Sequence, residues 1–455
     1  MISGIRRLLS VPELKQKIAF TLLMLVICRI GAYIPVPGIN GDLVADMFRK
    51  ATGGSQNLFQ LMDVFSGGAF AQMTIIALGV MPYISASIIM QIMTALIPSL
   101  QREVKENPEV GRRKMGKWIR FGTIVLAAFQ SGIFARYALS LNDGQPGIIV
   151  PEILQATLFG VPWLFFAIVM MTMTAGTMLL MWIGEQITER GVGNGISMII
   201  TVGILSSLPS TIGAISRKLN LDSQVPGQLS FSSLLVLMTI FVFIIVGTIL
   251  VIQGQRKIPL QYARRVVGRN ESQGGRAYIP LKLNYAGVIP VIFASALLAF
   301  PATIGTLAGQ DSWFSNLGKW LAPGAGIYSI CFVLLIIFFT YFWTATQFHP
   351  EQIASDMKKN GAFIPGVRQG KPTVDFLEST MNKITFAGAI FLAIIAVLPS
   401  IIGKLLRVDP SISYFFGGTS LLILVGVVLD TSKQVESHML MKRYEGFMKK
   451  GRRRL

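Results

Sequence analysis

Residues able to do chemistry are few in this chain, and none stands in the pattern its chemistry needs. Residues 111–118 read G-R-R-K-M-G-K-W, the G-x-x-x-x-G-K spacing with which backbone N–H groups cradle a nucleotide's phosphates. That loop needs Ser or Thr next, to hold Mg²⁺, and a strand before it. Here Trp118 follows and the neighbouring segments are long and apolar. Gly191, Gly193 and Gly195 have the look of a dinucleotide loop, but no βαβ unit frames them. His349 and His438 are isolated, and neither H-E-x-x-H nor G-x-S-x-G occurs. Cys28 and Cys331 both lie in apolar stretches and read as packed thiols, not as a disulfide or a metal site. No catalytic residue, metal or cofactor is expected, and the chain is not read as an enzyme.

The elements around these residues say more. Charged residues are 14% of the 455, against roughly 25% in soluble domains, and they cluster. Between clusters the sequence runs for about 20 residues with almost no charge, the length an α-helix needs to cross hydrocarbon. Ten spans are expected, near 18–34, 74–98, 118–139, 158–182, 196–216, 232–253, 285–307, 327–348, 384–403 and 413–435. With the N-terminus inside, cytoplasmic segments carry 32 Lys and Arg and the opposite segments 7, which places both termini in the cytoplasm. The net charge of +19 is then topology, not direct nucleic-acid binding. Residues 1–17 are basic and amphipathic with no small-residue cleavage site, so no cleavable signal peptide is expected. Two cytoplasmic loops, 254–284 and 350–383, are long and basic, and such loops are usually functional.

Residues 79–87 read G-V-M-P-Y-I-S-A-S and residues 287–295 read G-V-I-P-V-I-F-A-S; six of nine positions agree. The two copies fall in the second span of each five-span half. An odd number of spans per half inverts one half against the other, and inverted repeats put a site or pathway at their interface. Pro82 and Pro290, at matching places, are expected to kink or interrupt their helices. Phe65, Ser66, Gly67, Gly68, Ala69 and Phe70, continuing to Gln72, are too short and too Gly-rich to span and read as a re-entrant half-helix. A secondary active transporter could use the same inverted repeat. Ion coupling, however, leaves Asp, Glu or His in mid-span, and here Glu185 and Asp430 fall towards span ends. The span middles are apolar instead: Val80, Ile84, Ile196, Ile200, Ile292 and Ile423. A membrane scaffold without transport is the third reading.

Taken together, these residues resemble the SecY family, the channel-forming subunits of the bacterial protein translocon. The resemblance runs from R-I-G at 29–31 to the basic tail. It includes I-P-V-P-G at 34–38, F-S-G-G at 65–68, M-P-Y-I-S-A-S-I at 81–88, G-E-Q-I-T-E-R-G at 184–191 and G-N-G-I-S at 193–197. In the second half it continues with P-L-K at 280–282, A-G-V-I-P at 286–290, G-A-F-I-P-G at 361–366 and Y-F-F-G-G-T-S at 414–420.

The resemblance implies an all-α integral membrane protein with ten transmembrane helices, in two inverted five-helix halves around a central pore, with a re-entrant plug half-helix. The halves would be 1–217, with the plug near 64–73, and 218–435, followed by a basic cytoplasmic tail at 436–455. The six apolar mid-span residues would form the pore ring. Val80 departs from the family's mostly isoleucine ring, keeping the β-branch and losing one methylene. A ring of apolar side chains gates by dewetting and offers a sliding chain no fixed hydrogen-bond partner. Ser87, Gln91, Gln130, Asn284 and Phe293 would lie at a lateral gate between the second and third spans and the seventh and eighth, opening to lipid. Arg256, Lys257, Arg264, Arg265 and Arg368 would dock cytoplasmic partners. The implied activity is a protein-conducting channel in the bacterial inner membrane, multi-pass, moving unfolded polypeptides across and membrane segments sideways. The implied partners are SecE, SecG, the ATPase SecA, the ribosome, signal peptides and nascent chains, and membrane lipid.

Overall fold

The computed structural model describes residues 12–452 apart from 53–57, 145, 156, 158–161, 219–230, 263–264, 268–269, 273–275, 308–315, 317, 319, 322–324 and 406–416. The N-terminal helices are α1 (Pro12–Gly31), α2 (Gly41–Thr52), α3 (Leu58–Ser66), α4 (Met81–Leu96), α5 (Pro98–Glu106) and α6 (Pro108–Gly144). They continue with α7 (Pro151–Leu154), α8 (Trp163–Arg190), α9 (Gly195–Ser206), α10 (Leu208–Lys218) and α11 (Phe231–Gln253). Strands β1 (Gln255–Tyr262), β2 (Arg265–Val267), β3 (Asn270–Ser272) and β4 (Arg276–Lys282) precede α12 (Ile289–Leu307), α13 (Gly326–Gln347) and α14 (Pro350–Lys359). After β5 (Ala362–Phe363) come α15 (Lys371–Leu405) and α16 (Gly418–Arg452).

Seven helices among the described residues are long and apolar enough to cross a membrane, or eight if α4 and the start of α5, bent by 99°, count as one span. Three of the ten expected spans account for the difference. Helix α1 carries Glu13, Lys15, Lys17 and Arg29 at its ends. The second span opens with irregular backbone, so its helix begins only at Met81. The apolar helix of the seventh is the shorter run Ile289–Ala299. On the long helices the outward faces are bare hydrocarbon: Leu250 is 66% and Met171 73% exposed. Water would not tolerate such faces, and lipid requires them.

The expectation of an all-α chain is corrected in the two basic loops. The first folds into the antiparallel pair β1–β4, with Ile258 opposite Ile279, and β5 of the second loop adds to the other edge of β1. Ile258, Leu260 and Leu281 point from this sheet onto Met357, Leu377 and Met381 of α14 and α15, a core of its own. The alternation of buried and exposed residues along β1 was readable in Q-R-K-I-P-L-Q-Y as a half-buried strand. The tail does not separate from the tenth expected span, since α16 continues unbroken to Arg452.

Pro82 and Pro290 do not kink helices; each is the second residue of one, where its missing N–H was unpartnered anyway. The two repeat copies share a backbone as well as a sequence. Gly79 and Gly287 have φ of 58° and 60°, and the carbonyls of Val80 and Val288 take the N–H of Ile84 and Ile292 at 3.0 and 3.3 Å. Each copy is a left-handed turn that starts a helix.

The glycines at 191–195 serve a helix crossing. A Cβ on Gly195 would overlap the Gly184 carbonyl oxygen, so α8 and α9 meet backbone to backbone. Gly195→Ala must force them apart. Overpacking of this kind costs about 1–3 kcal/mol, and the variant should melt earlier in detergent than the parent. An unchanged melting curve would contradict the packing.

Candidate functional site

Val80 and Ile84 stand at the start of α4, Ile200 in α9, Ile292 in the first turn of α12 and Ile423 in α16. All five line one half-open hollow. Each is 8% exposed or less. The β-branch holds each side chain stiff at χ1, so the wall is well defined. Ile196 is not among the lining residues. It lies one turn before Ile200 and packs against Gly184, where a Cβ would run into its side chain.

Met62, Phe65, Ser66 and Phe70 add to the lining. The half-helix expected at 65–72 is displaced: α3 ends at Ser66, and Gly67 and Gly68, with φ of 68° and 90°, turn the chain back. Gly68 N–H donates to Asp63 O at 3.0 Å, Phe70 N–H to Ser66 Oγ at 3.0 Å and Ala71 N–H to Asp63 Oδ1 at 2.8 Å. This is the left-handed helix ending that glycine permits. Phe70 is seated edge-on against Phe48 and Phe134, at centroid distances of 6.0 and 5.0 Å.

Polar side chains in the lining are Ser66, Gln130 and Ser295, and no ionisable side chain is among the described residues that line it. The hollow therefore has no acid, base or proton relay, and an ion-coupled transporter finds no support. The glycine loop likewise has no use for phosphate. Val192 N–H donates to Thr21 Oγ1 at 3.1 Å, Gly193 N–H to Gln434 Oε1 at 2.9 Å and Gly195 N–H to Thr188 Oγ1 at 2.9 Å. Residues 111–118 are continuous helix within α6. No His, Cys, Asp and Glu group among the described residues could hold a metal ion.

The five expected gate residues separate. Gln91 Nε2 donates to Ser87 Oγ at 3.0 Å within α4, and Gln130 of α6 reaches the hollow. Asn284 is buried before α12, its Nδ2 donating to Gly287 O at 2.7 Å. Phe293 lies edge-on against Phe339 and Trp343 of α13, at 5.7 and 5.9 Å. Helix α12 packs on α4 and touches α6, and at that seam Ala299 contacts Met81 and Met62. Helix α6 is tied to α8 by a two-pronged ion pair, Arg120 Nε and Nη2 to Glu185 at 3.2 and 2.8 Å.

Of the expected docking residues, Arg256 and Lys257 are exposed on β1, and Arg368 is exposed in the turn between β5 and α15, its carbonyl taking the Thr373 hydroxyl at 2.7 Å. Arg265 lies in β2, opposite Ser272; Arg264 lies outside the described residues. The residues missed from the sequence were Met62, Ala77, Leu78 and Ser295. Ser295 was within reach, since it ends the second repeat copy.

A sequence model of the SecY family matches residues 74–432. The chain is 59% identical over 452 residues to the protein translocase subunit SecY of Chlamydia trachomatis, covering 99% of each. In structure it resembles a chain described as a protein conducting channel, with TM-score 0.62, 19% identity and coverage of 92% and 91%. It also resembles Sec61 in the canine ribosome-channel complex from the endoplasmic reticulum, with TM-score 0.58, 18% identity and the same coverage. At those identities the structural likeness speaks for the fold.

Proposed function

This chain belongs to the SecY family and is a protein-conducting channel, and we propose that its passage runs through the apolar hollow between the two halves of the chain. The observation that carries this reading is the convergence of Val80, Ile84, Ile200, Ile292 and Ile423 from four helices on one hollow without ionisable lining. Ile196, one turn away, packs on Gly184 and stands outside this ring. An empty ring of this kind expels water and blocks ions, while a polypeptide passes without meeting a fixed hydrogen-bond partner. The finer architecture is part of the proposal: ten spans, both termini cytoplasmic in a bacterial inner membrane, inverted halves at 1–217 and 218–435, and a plug formed by the end of α3 and the turn through Phe70. The equivalent turns at Gly79 and Gly287 support the inversion.

Unfolded secretory chains would cross through the ring. Membrane segments would leave sideways, between α4 and α6 on one side and α12 and α13 on the other. The ion pair of Arg120 and Glu185 keeps α6 with α8, so the apolar seam is the weaker line. Association of helices in lipid rests on packing and on polar contacts of about 1 kcal/mol, suited to a seam that reopens. Drive would come from partners. The sheet that presents Arg256 and Lys257, with Arg368 nearby in sequence to β5, is the proposed dock for the ribosome or SecA, since exposed cations suit RNA phosphates and acidic surfaces. SecE and SecG would complete the membrane assembly.

Three outcomes are expected. Replacing Ile84, Ile292 and Ile423 together with Ser should wet the ring and give a steady ion leak in planar bilayers, whereas Ile196→Ser alone should leak little. A triple variant as tight as the parent would remove the ring. Cysteines replacing Met81 and Ala299, bridged by a short bifunctional maleimide, should stop transport of a signal-bearing precursor into vesicles. Efficient bridging with transport intact would refute the gate. Arg368→Glu should weaken partner binding by about 2–5 kcal/mol, the scale for a close charged contact, with the channel's own membrane insertion unchanged; ribosome and SecA affinities both equal to the parent's would reject Arg368 as a docking residue.

A further inference from the structure

At the floor of the hollow, one carbonyl is reached by side chains from two helices. Arg29, in the last turn of α1, donates from Nη1 to Gly67 O at 3.0 Å and from Nη2 to the Tyr33 hydroxyl at 3.4 Å. Its guanidinium carbon lies 5.4 Å from the centre of the Tyr33 ring. Ser206, at the end of α9, shares its one hydroxyl proton between Gly203 O of its own helix at 2.7 Å and the same Gly67 O at 3.2 Å. The contact is made between backbones. A Cβ on Gly67 would strike Arg29, Ser206 and the Cα of Gly203, and one on Gly203 would strike the Phe65 carbonyl.

An arginine within a span is costly and is kept where it is engaged. Its guanidinium offers donors in a rigid fork, and a bond from a charged donor is about twice as strong as a neutral one. Here that donor is spent on a main-chain oxygen at a turn between two left-handed glycines, the least regular part of the floor. The turn gains no carboxylate partner from it, only a position against α1 and α9.

We propose that Arg29, supported by Ser206, is a latch that holds the floor of the hollow in its closed position. It is a positioning residue: it touches no passing chain and acts through Gly67. The inference rests on reading that floor as the movable plug. Because both donors share one acceptor, their effects should not add.

The test uses the full chain, with a cysteine replacing Ala71 as reporter, reconstituted in vesicles with its small membrane subunits. The readouts are ion leak and labelling of position 71 by a membrane-impermeant maleimide. Arg29→Leu should raise both about tenfold, the factor for one lost charged hydrogen bond, while Arg29→Lys, which keeps a cationic donor, restores most of the closure. Ser206→Ala should raise labelling roughly threefold, as for one neutral bond, and add little to Arg29→Leu. If Arg29→Leu does not accumulate in the membrane, Ser206→Ala carries the test alone, and labelling equal to the parent's overturns the latch. Parent-like leak and labelling in Arg29→Leu, beside a leaking Ile84, Ile292 and Ile423 to Ser variant, overturns the latch and leaves the channel reading standing. Tightness in both variants overturns the ring reading together with the latch.

Discussion

Backbone inside a membrane must satisfy its own hydrogen bonds, and irregular backbone survives there only when buried in protein or lining a cavity. The described part of this chain keeps to that constraint at its broken segments. Between α3 and α4 the Thr74 N–H donates to Ala69 O, Ile75 N–H to Ile34 O and Gly79 N–H to Ile76 O, at 3.1, 3.0 and 2.8 Å. Before α12, Leu283 N–H donates to Gly254 O at 2.8 Å and the Asn284 side chain to Gly287 O at 2.7 Å. The irregular stretch ahead of α4 is what opens the hollow, because a helix that starts late leaves space above its first turn. Two such starts, each a glycine followed three residues later by proline, set Ile84 and Ile292 at its wall.

The same economy governs how helices meet. Lipid gives no hydrophobic drive for helix association, so contacts rely on close packing and on polar pairs. Gly184 and Gly195 bring α8 and α9 together, and Gly418 does the same for α16, where a Cβ would overlap the Ile395 carbonyl. Polar pairs add selectively. Gln434 on α16 reaches Gly193 at 2.9 Å, and Arg120 reaches Glu185 at 2.8 Å. Around Met81 and Ala299 the contacts are apolar.

Much of this was legible in the residues. Charge-free runs marked α11 and α13 to within a residue at each end and the apolar parts of α6, α8, α15 and α16, because length and apolarity are strong signals in a membrane sequence. The nine-residue repeat singled out Ile84 and Ile292 before any coordinates, and both line the hollow. Other features were hidden for physical reasons. A proline within an apolar run reads equally as a kink or as a helix start, and only the positive φ at Gly79 and Gly287 decides between them. Ile196 looks like Ile200 in sequence, and its diversion onto Gly184 depends on a helix crossing that no local pattern encodes. The sheet was readable in part from the alternation in β1, but its third strand comes from a loop about a hundred residues further on, a non-local pairing. Arg29 fell on neither side of the topology count and stood only as the start of the R-I-G motif, although a cation within a span is a functional signal in itself.

A passage for polypeptides has to be tight when empty and indifferent to sequence when occupied, and one surface cannot be optimised for both. The two demands fall on different chemistry here. In the proposed channel, indifference would belong to the ring, where branched aliphatic side chains have nothing to donate or accept. Tightness is shared with the floor, whose own bonds are local: Asp63 and Ser66 fold the turn onto α3, so it can move as a unit without unfolding. Among the contacts that join that unit to the spans are aromatic packing at Phe70 and the two donors on Gly67 O. Packing of that kind is non-directional, whereas a hydrogen bond falls off steeply with angle and distance. A small displacement of α1 or α9 would therefore release the carbonyl before it disturbed Phe70. The order of events at the floor then follows from the geometry of one oxygen.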